Sequence, residues 1–259
     1  MQDAQTSALL LARQIFSRPI VVGGSELIST EVSLVISQAV AMVIAIIVAH
    51  REMVGERANA LPVADAIEQL SNSGALRLLF GIVGRITQHR CGSRCDRDGA
   101  ADFLSLLYNA DASNASLLLY GKLFTVRSAP FSDSVNGPHA LIVDPSRPLI
   151  LRQSTLVLNH ATAYFIDNGT ELVLYRALPS IDTTLSSLQP VVNQKYLLLN
   201  YCRNRINTSP IVPSVVSVEA GTPSAVLFSK CLIEDESKYA ITMQKFVEIL
   251  ERRVVAHLS

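Results

Sequence analysis

The residue types with the richest chemistry gather in one short loop, His89-Arg90-Cys91-Gly92-Ser93-Arg94-Cys95, where an imidazole and two thiols lie close in sequence. Nitrogen and sulfur donors of this kind suit zinc, but a structural zinc site takes about four of them. No second Cys/His pair stands nearby, and Cys202, Cys231 and His257 are remote and share no ligand spacing. The stretch therefore reads as an Arg-rich loop with no metal. Arg85, Arg90, Arg94 and Arg97 around it form either a local basic face for phosphates or acidic peptides or, as such runs more often do, a solvated helix end. His139 and His160 lie near Ser154, Asp144 and Asp167, the residue types that a nucleophile, a base and an orienting acid require. Their spacing imposes no triad, and no constrained nucleophile turn or oxyanion hole accompanies them.

The wider motif search agrees. Gly-x-x-x-x-Gly-Lys-Ser/Thr, Gly-x-Gly-x-x-Gly, His-Glu-x-x-His and Gly-x-Ser-x-Gly are all absent. Gly23-Gly24-Ser25 follows a helix-like segment rather than a strand, so it reads as a turn between helices and not as a phosphate cradle. The expectation is a non-enzyme with no catalytic residue, no cofactor-binding residue and no metal ligand, one that acts by binding.

The elements that must position any binding surface fall into two textures. Up to about residue 109 the apolar residues recur at helical spacing, over Ala4 to Phe16, about Ser29 to Val54, Ala64 to Gln88 and Ala100 to Asn109, with Asp98 where an N-cap would stand. Val32 to His50 carries no charge and matches the roughly 20 residues of a membrane span. Ser33, Ser37 and Gln38 interrupt it and no aromatic belt flanks it, so a helix buried on all sides of a helical array is the better reading. From about Asn114 short apolar runs alternate with Pro, Gly, Asn and Asp, as β-rich structure requires. Leu117 to Thr125 and Ala140 to Val143 read as strands, with a loop from Ser128 to Pro138. His160 to Phe165 and Glu171 to Arg176 flank Asp167-Asn168-Gly169-Thr170, a hairpin with an expected type I′ turn. Ser180 to Leu188 and Gln194 to Arg205 read as helices, and Pro213 to Glu219 as a strand. A last helix sets Tyr239, Met243, Phe246, Val247, Leu250 and Val254 on one face.

Composition narrows the function class. The 259 residues are 49% hydrophobic and 17% charged, enough apolar material for a substantial core. Lys+Arg and Asp+Glu number 22 each, so no net field gathers nucleic acid, and the expectation is no nucleic-acid partner. So low a charge content leaves apolar surface for a partner to cover. Four scattered cysteines and no signal peptide point to a reducing compartment, where the sequons at Asn114, Asn168 and Asn207 are chance matches.

Several stretches carry a family resemblance. Pro148-Leu149-Ile150, Leu156 and the run from Ala161 through Asp167-Asn168-Gly169-Thr170 to Leu174 look like the gelsolin-like module of the COPII vesicle coat's cargo-adaptor subunits. Upstream, Asp98 to Leu107 and Leu117 to Phe124 resemble the family's preceding helix and apolar run. Downstream, Ala225 to Asp235, Tyr239 and Phe246 to Leu250 resemble its ending, and all these matches keep the family's order. Leu174-Tyr175-Arg176-Ala177 departs from the family pattern, the chain has no Trp, and nothing matches the family's zinc finger, trunk or β-sandwich.

The resemblance implies an α+β fold: an all-α helical domain at 1–112, a gelsolin-like α/β domain with a mixed sheet at 113–235, and a C-terminal helix at 236–259 packing back on the helical domain. It further implies a fragment or short form of a structural and cargo-recognition adaptor, cytoplasmic and peripheral at endoplasmic reticulum exit sites and COPII vesicles. Its partners would be the sister inner-coat subunit, outer coat subunits, and cytosolic tails of membrane cargo and SNAREs. Gelsolin-like domains also occur in actin-regulatory proteins, which is the alternative reading.

Overall fold

In the computed structural model the described residues are 2–18, 25–54, 61–90, 97–130, 139–143, 163–176, 197–232 and 241–259. In chain order the helices α1 (Gln2–Phe16), α2 (Ser25–Val54), α3 (Val63–Asn72), α4 (Ala75–Arg90), α5 (Arg97–Asn109) and α6 (Ala112–Leu119) come first. Strands β1 (Lys122–Pro130), β2 (His139–Val143), β3 (Ala163–Asp167) and β4 (Glu171–Arg176) follow. Then come α7 (Leu197–Thr208), β5 (Ser214–Glu219), α8 (Ala225–Cys231) and α9 (Met243–Leu258). The chain divides into two units, Met1–Tyr120 with Glu234–Ser259, and Gly121–Ile233.

The helical unit is organised around α4. Leu76, Leu79, Phe80, Ile82, Val83 and Ile86 are all buried, on every side of this helix. Gly81 allows the closest approach: a Cβ there would lie 2.6 Å from the Leu119 carbonyl oxygen of α6. The all-round burial expected of Val32 to His50 therefore belongs to α4, because backbone crowding needs glycine where α2 offers larger side chains. On α2 the buried residues Val35, Ala39, Met42, Val43 and Ile47 form one stripe, and only 28% of its apolar window is buried. The segment expected as one helix from Ala64 to Gln88 breaks at Ser73-Gly74, where Gly74 takes a φ of 79°.

Three further sequence expectations are corrected. Leu117 to Leu119 are helical, because Asp111 caps α6 by accepting from the Asn114 amide at 2.7 Å and all three leucines are buried. The strand begins only at Lys122 and runs through Ser128 to Pro130, where a loop was expected. Asp98 stands in the first turn of α5, which begins at Arg97, rather than at its N-cap. The helix expected over Ser180 to Leu188 lies outside the described residues.

Helix α9 packs on α2 and α3. Phe246, Leu250 and Val254 are fully buried at i, i+4 and i+8, and Phe246 meets Phe80 edge-on with centroids 5.8 Å apart.

The second unit is a five-stranded mixed sheet of order β2-β1-β3-β4-β5, antiparallel except for the parallel β4–β5 pair. Alternation along the strands gives it two apolar faces. Leu123, Tyr164, Ile166, Val173 and Val218 pack with Phe228 and Cys231 of α8. Phe124, Phe165, Leu172 and Leu174 pack with Tyr201 and Cys202 of α7. The fold is thus α+β as expected: helices, a gelsolin-like mixed sheet covered on both faces, and a C-terminal helix packed back on the helices.

The hairpin forms where expected, with a different turn. Asp167 pairs with Leu172, so Gly169-Thr170 are the central pair; within this turn Gly169 alone has positive φ, 93°, and no described non-glycine residue does, so Thr170 is not left-handed. Positive φ at the first central position alone is the requirement of type II′, not type I′. The physical reason is Asn168. Its side-chain Oδ1 accepts from the amides of Thr170, at 3.0 Å, and Glu171, at 2.7 Å, closing the turn through the side chain.

Candidate functional site

Few of the residues that could have done chemistry lie among the described ones. His139 lies on β2, paired with Pro130 of β1, while His160, Asp144 and Ser154 lie outside the described residues. Cys91 and Cys95 also lie outside them, and Cys202 and Cys231 stand on opposite faces of the sheet and share no disulfide. Among the described residues no group of His, Cys, Asp and Glu could hold a metal. Arg85 joins neither a basic face nor a solvated helix end: its Nε donates to the Leu118 carbonyl at 2.9 Å and its guanidinium lies 5.7 Å from the Phe103 ring centroid. It serves the C-terminal carbonyls of α6.

Asp167 is the one candidate the fold builds around. It ends β3, is fully buried, and each carboxylate oxygen is engaged. Oδ1 accepts from the Gly169 amide at 2.9 Å. Oδ2 accepts from the Tyr201 hydroxyl at 2.7 Å and from Arg205 Nε at 2.6 Å. Tyr201 and Arg205 stand one turn apart on α7, so a single helical face delivers both donors. The Tyr201 ring fits edge-on against Phe124 and Phe165, with centroids 5.6 and 5.8 Å away. Burial, then the Asp167 charge, pushes the Tyr201 hydroxyl far above its ordinary range, so it stays a donor. The same two causes push the Cys202 thiol up to about 11, which makes it a poor nucleophile at neutral pH. This arrangement locks α7 to the hairpin; it has neither a free base nor an activated nucleophile. Its partners, 34 and 38 residues from Asp167, gave no local signal beyond a polar pair on an otherwise apolar helix face.

The surface that sequence reasoning missed is the outer side of α2. Val48, Met53 and Val54 are 47%, 79% and 52% exposed, and Ala41, Ala45 and Ala49 are exposed beside them. Two grooves flank this ridge. One, of about 710 Å³, runs between α2 and α9; the other, of about 590 Å³, runs between α2, α1 and α3 and includes Met42, Met53 and Leu70. The signal was present in the uncharged run from Val32 to His50, which has apolar residues on more faces than one interior contact can use.

No family model matches the chain, and no curated protein matches it. Among solved structures, a crystal structure of the human COPII-coat protein Sec24c is similar at a TM-score of 0.62 and 14% sequence identity. The likeness covers 99% of this chain but only 31% of that one, so the chain spans about a third of the length of its structural neighbour. In fold, and at this identity in fold alone, the chain is similar to part of a human COPII-coat protein.

Proposed function

We propose that this chain is a structural adaptor of a COPII-type vesicle coat, recognising protein partners by surface contact and making or breaking no bonds. The observation that carries the reading is the chain-wide likeness to a COPII-coat protein, which takes in both units and not the sheet alone. The low charge content and the exposed apolar side of α2 support it, because surfaces of this kind are ordinarily covered by partners. In this reading the helical unit, stiffened around α4, is a spacer of the coat, and the clamped sheet offers apolar pockets to partner segments. The partners are the sister inner-coat subunit, outer coat subunits, and cytosolic tails of cargo and SNAREs, met at the cytoplasmic surface of endoplasmic reticulum exit sites.

The test is reciprocal affinity capture of the tagged chain from its native cytosol at physiological salt, with imaging of the tagged chain against a coat marker. Copurification of inner or outer coat subunits together with concentration at exit sites is the expected result. A folded, monodisperse bait that recovers no coat subunit and distributes evenly through the cytosol refutes the reading. Actin cosedimentation of the same preparation reads out the alternative.

A further inference from the structure

We propose that the groove between α2 and α9 is a docking site for an amphipathic helix of a partner protein, one whose apolar stripe is flanked by acidic side chains. The inference stands on the groove alone and does not depend on the coat reading. Ser37, Val40, Ala41, Ile44, Ala45 and Val48 line it from α2, at i, i+3, i+4, i+7, i+8 and i+11, so one continuous helical face forms its wall. At about 1.5 Å per residue that face is roughly 16 Å long, the length of three helical turns, which matches the anchors a short docked helix presents. Both walls are helices whose backbone groups bond internally, so the groove offers an extended strand nothing to pair with. A helix, which satisfies its own backbone, is the occupant that fits.

Charge fixes the flanks. The α9 wall contributes Arg253, Ala256 and His257. Arg253 and His257 stand one turn apart, both are exposed, and neither has an ion-pair partner among the described residues. Positions 249, 250 and 256, one turn away on α9, are Ile, Leu and Ala, and no carboxylate lines the groove. A partner with glutamate or aspartate beside its apolar stripe would meet the Arg253 guanidinium and the ring N–H of His257 at the rim while its stripe covers the wall. A bilayer is the rival occupant of an apolar helix face with Arg253 at its edge, and the vesicle experiment below separates the two.

The probe is a fluorescein-labelled designed helix with leucines at i, i+4, i+7 and i+11 and glutamates beside them, titrated by the full chain in fluorescence anisotropy. Saturable binding is expected, weakened about tenfold or more by Ala41→Trp, which fills the groove, and by Arg253→Glu, which reverses its rim. A second probe with lysine in place of glutamate should bind Arg253→Glu better than it binds the wild type. Ala49→Trp, in the other groove, should leave binding unchanged, and far-UV circular dichroism checks that each variant is folded; Val48→Trp replaces Ala41→Trp if that variant is not. Absence of binding by the folded wild type overturns the proposal, as does equal affinity for the two probes or indifference to both groove-filling variants. Flotation with phosphatidylcholine–phosphatidylserine vesicles that Ala41→Trp abolishes would assign the face to membrane instead. A dimer in sedimentation velocity that the same substitution dissociates would assign it to a second copy of this chain.

Discussion

Replacing Arg205 with Met removes the only cation that the described residues bring to the Asp167 clamp while keeping most of the apolar stem. Asp167 is 0% exposed and the Arg205 side chain 13%, with Nε 2.6 Å from Oδ2, so water does little to screen the pair. At an effective dielectric near 20, opposite charges about 4 Å apart attract by about 4 kcal/mol. Desolvation offsets much of that in the intact pair, but removing one partner strands the other, and stranded buried charges cost about 3–5 kcal/mol. The Gly169 and Tyr201 donors still reach the carboxylate, which places the expected loss near the lower end, about 3 kcal/mol. Arg176–Glu219 is an internal control: at 3.1 Å but with side chains 25% and 50% exposed, it should cost no more than about 1 kcal/mol when Arg176 becomes Met. The assay is urea denaturation followed by circular dichroism and by Cys202 labelling, which reports release of α7. Asp167→Asn with Arg205→Met closes a double-mutant cycle, and the double variant should lose clearly less than the sum of the singles, because neither charge is then stranded. Additive losses, or an Arg205→Met cost as small as the Arg176→Met control, would refute the clamp.

Alkaline pH tests the same cluster through linkage. Tyr201 and Cys202 both hold their protons more tightly in the folded chain, so the stability this lends is whole below their ordinary values of 10.0 and 9.0 and is lost as pH rises. For Cys202 the window runs from 9.0 to about 11, and for Tyr201 it opens at 10.0; the stability slope above pH 10 should be shallower in Tyr201→Phe, measured by denaturation at stepped pH. Gly169→Val should cost about 1–2 kcal/mol, because its φ of 93° lies where β-branched residues are strained, and an unchanged melting curve would contradict the turn. Gly81→Ala should cost about 1–3 kcal/mol, since the new methyl would lie 2.6 Å from a backbone oxygen that a capped helix cannot easily move. Phe246→Ala should cost about 3–5 kcal/mol and expose α2 and α3 to hydrogen exchange, which reads whether α9 completes the helical core.

How much of this was legible in the sequence depended on whether the deciding contact was local. The Asn168-Gly169 turn marked its hairpin because a positive φ must be supplied on the spot. The turn type escaped, since it turned on whether Asn168 would use its backbone or its side chain to reach Glu171. Three leucines at 117–119 read equally as strand or helix, and one carboxylate at Asp111 decided between them. Two apolar helices, α2 and α4, competed for the interior, and composition favoured the more hydrophobic one. Packing favoured α4, because a helix surrounded on all sides must let backbones approach, and Gly81 does so. The side-chain clamp on Asp167 had almost no local signal, since its two side-chain donors stand on α7, 34 and 38 residues further along the chain.

The displacement of α2 from the interior changes what its hydrophobicity means. An apolar run with no charge from Val32 to His50 would be inert inside a core; on a helix with one buried stripe it becomes recognition surface. The chain accordingly separates two tasks. Its buried carboxylate, Asp167, has both oxygens engaged by internal donors from Gly169, Tyr201 and Arg205, which fixes the shape of the sheet unit. Its uncompensated features, the α2 ridge and the polar side chains of Arg253 and His257, stand on the outside of the helical unit. That contrast makes the adaptor reading and the groove proposal separable: loss of peptide binding in Ala41→Trp with coat capture intact would leave the first standing on the fold alone, while the reverse would leave the groove with a different client.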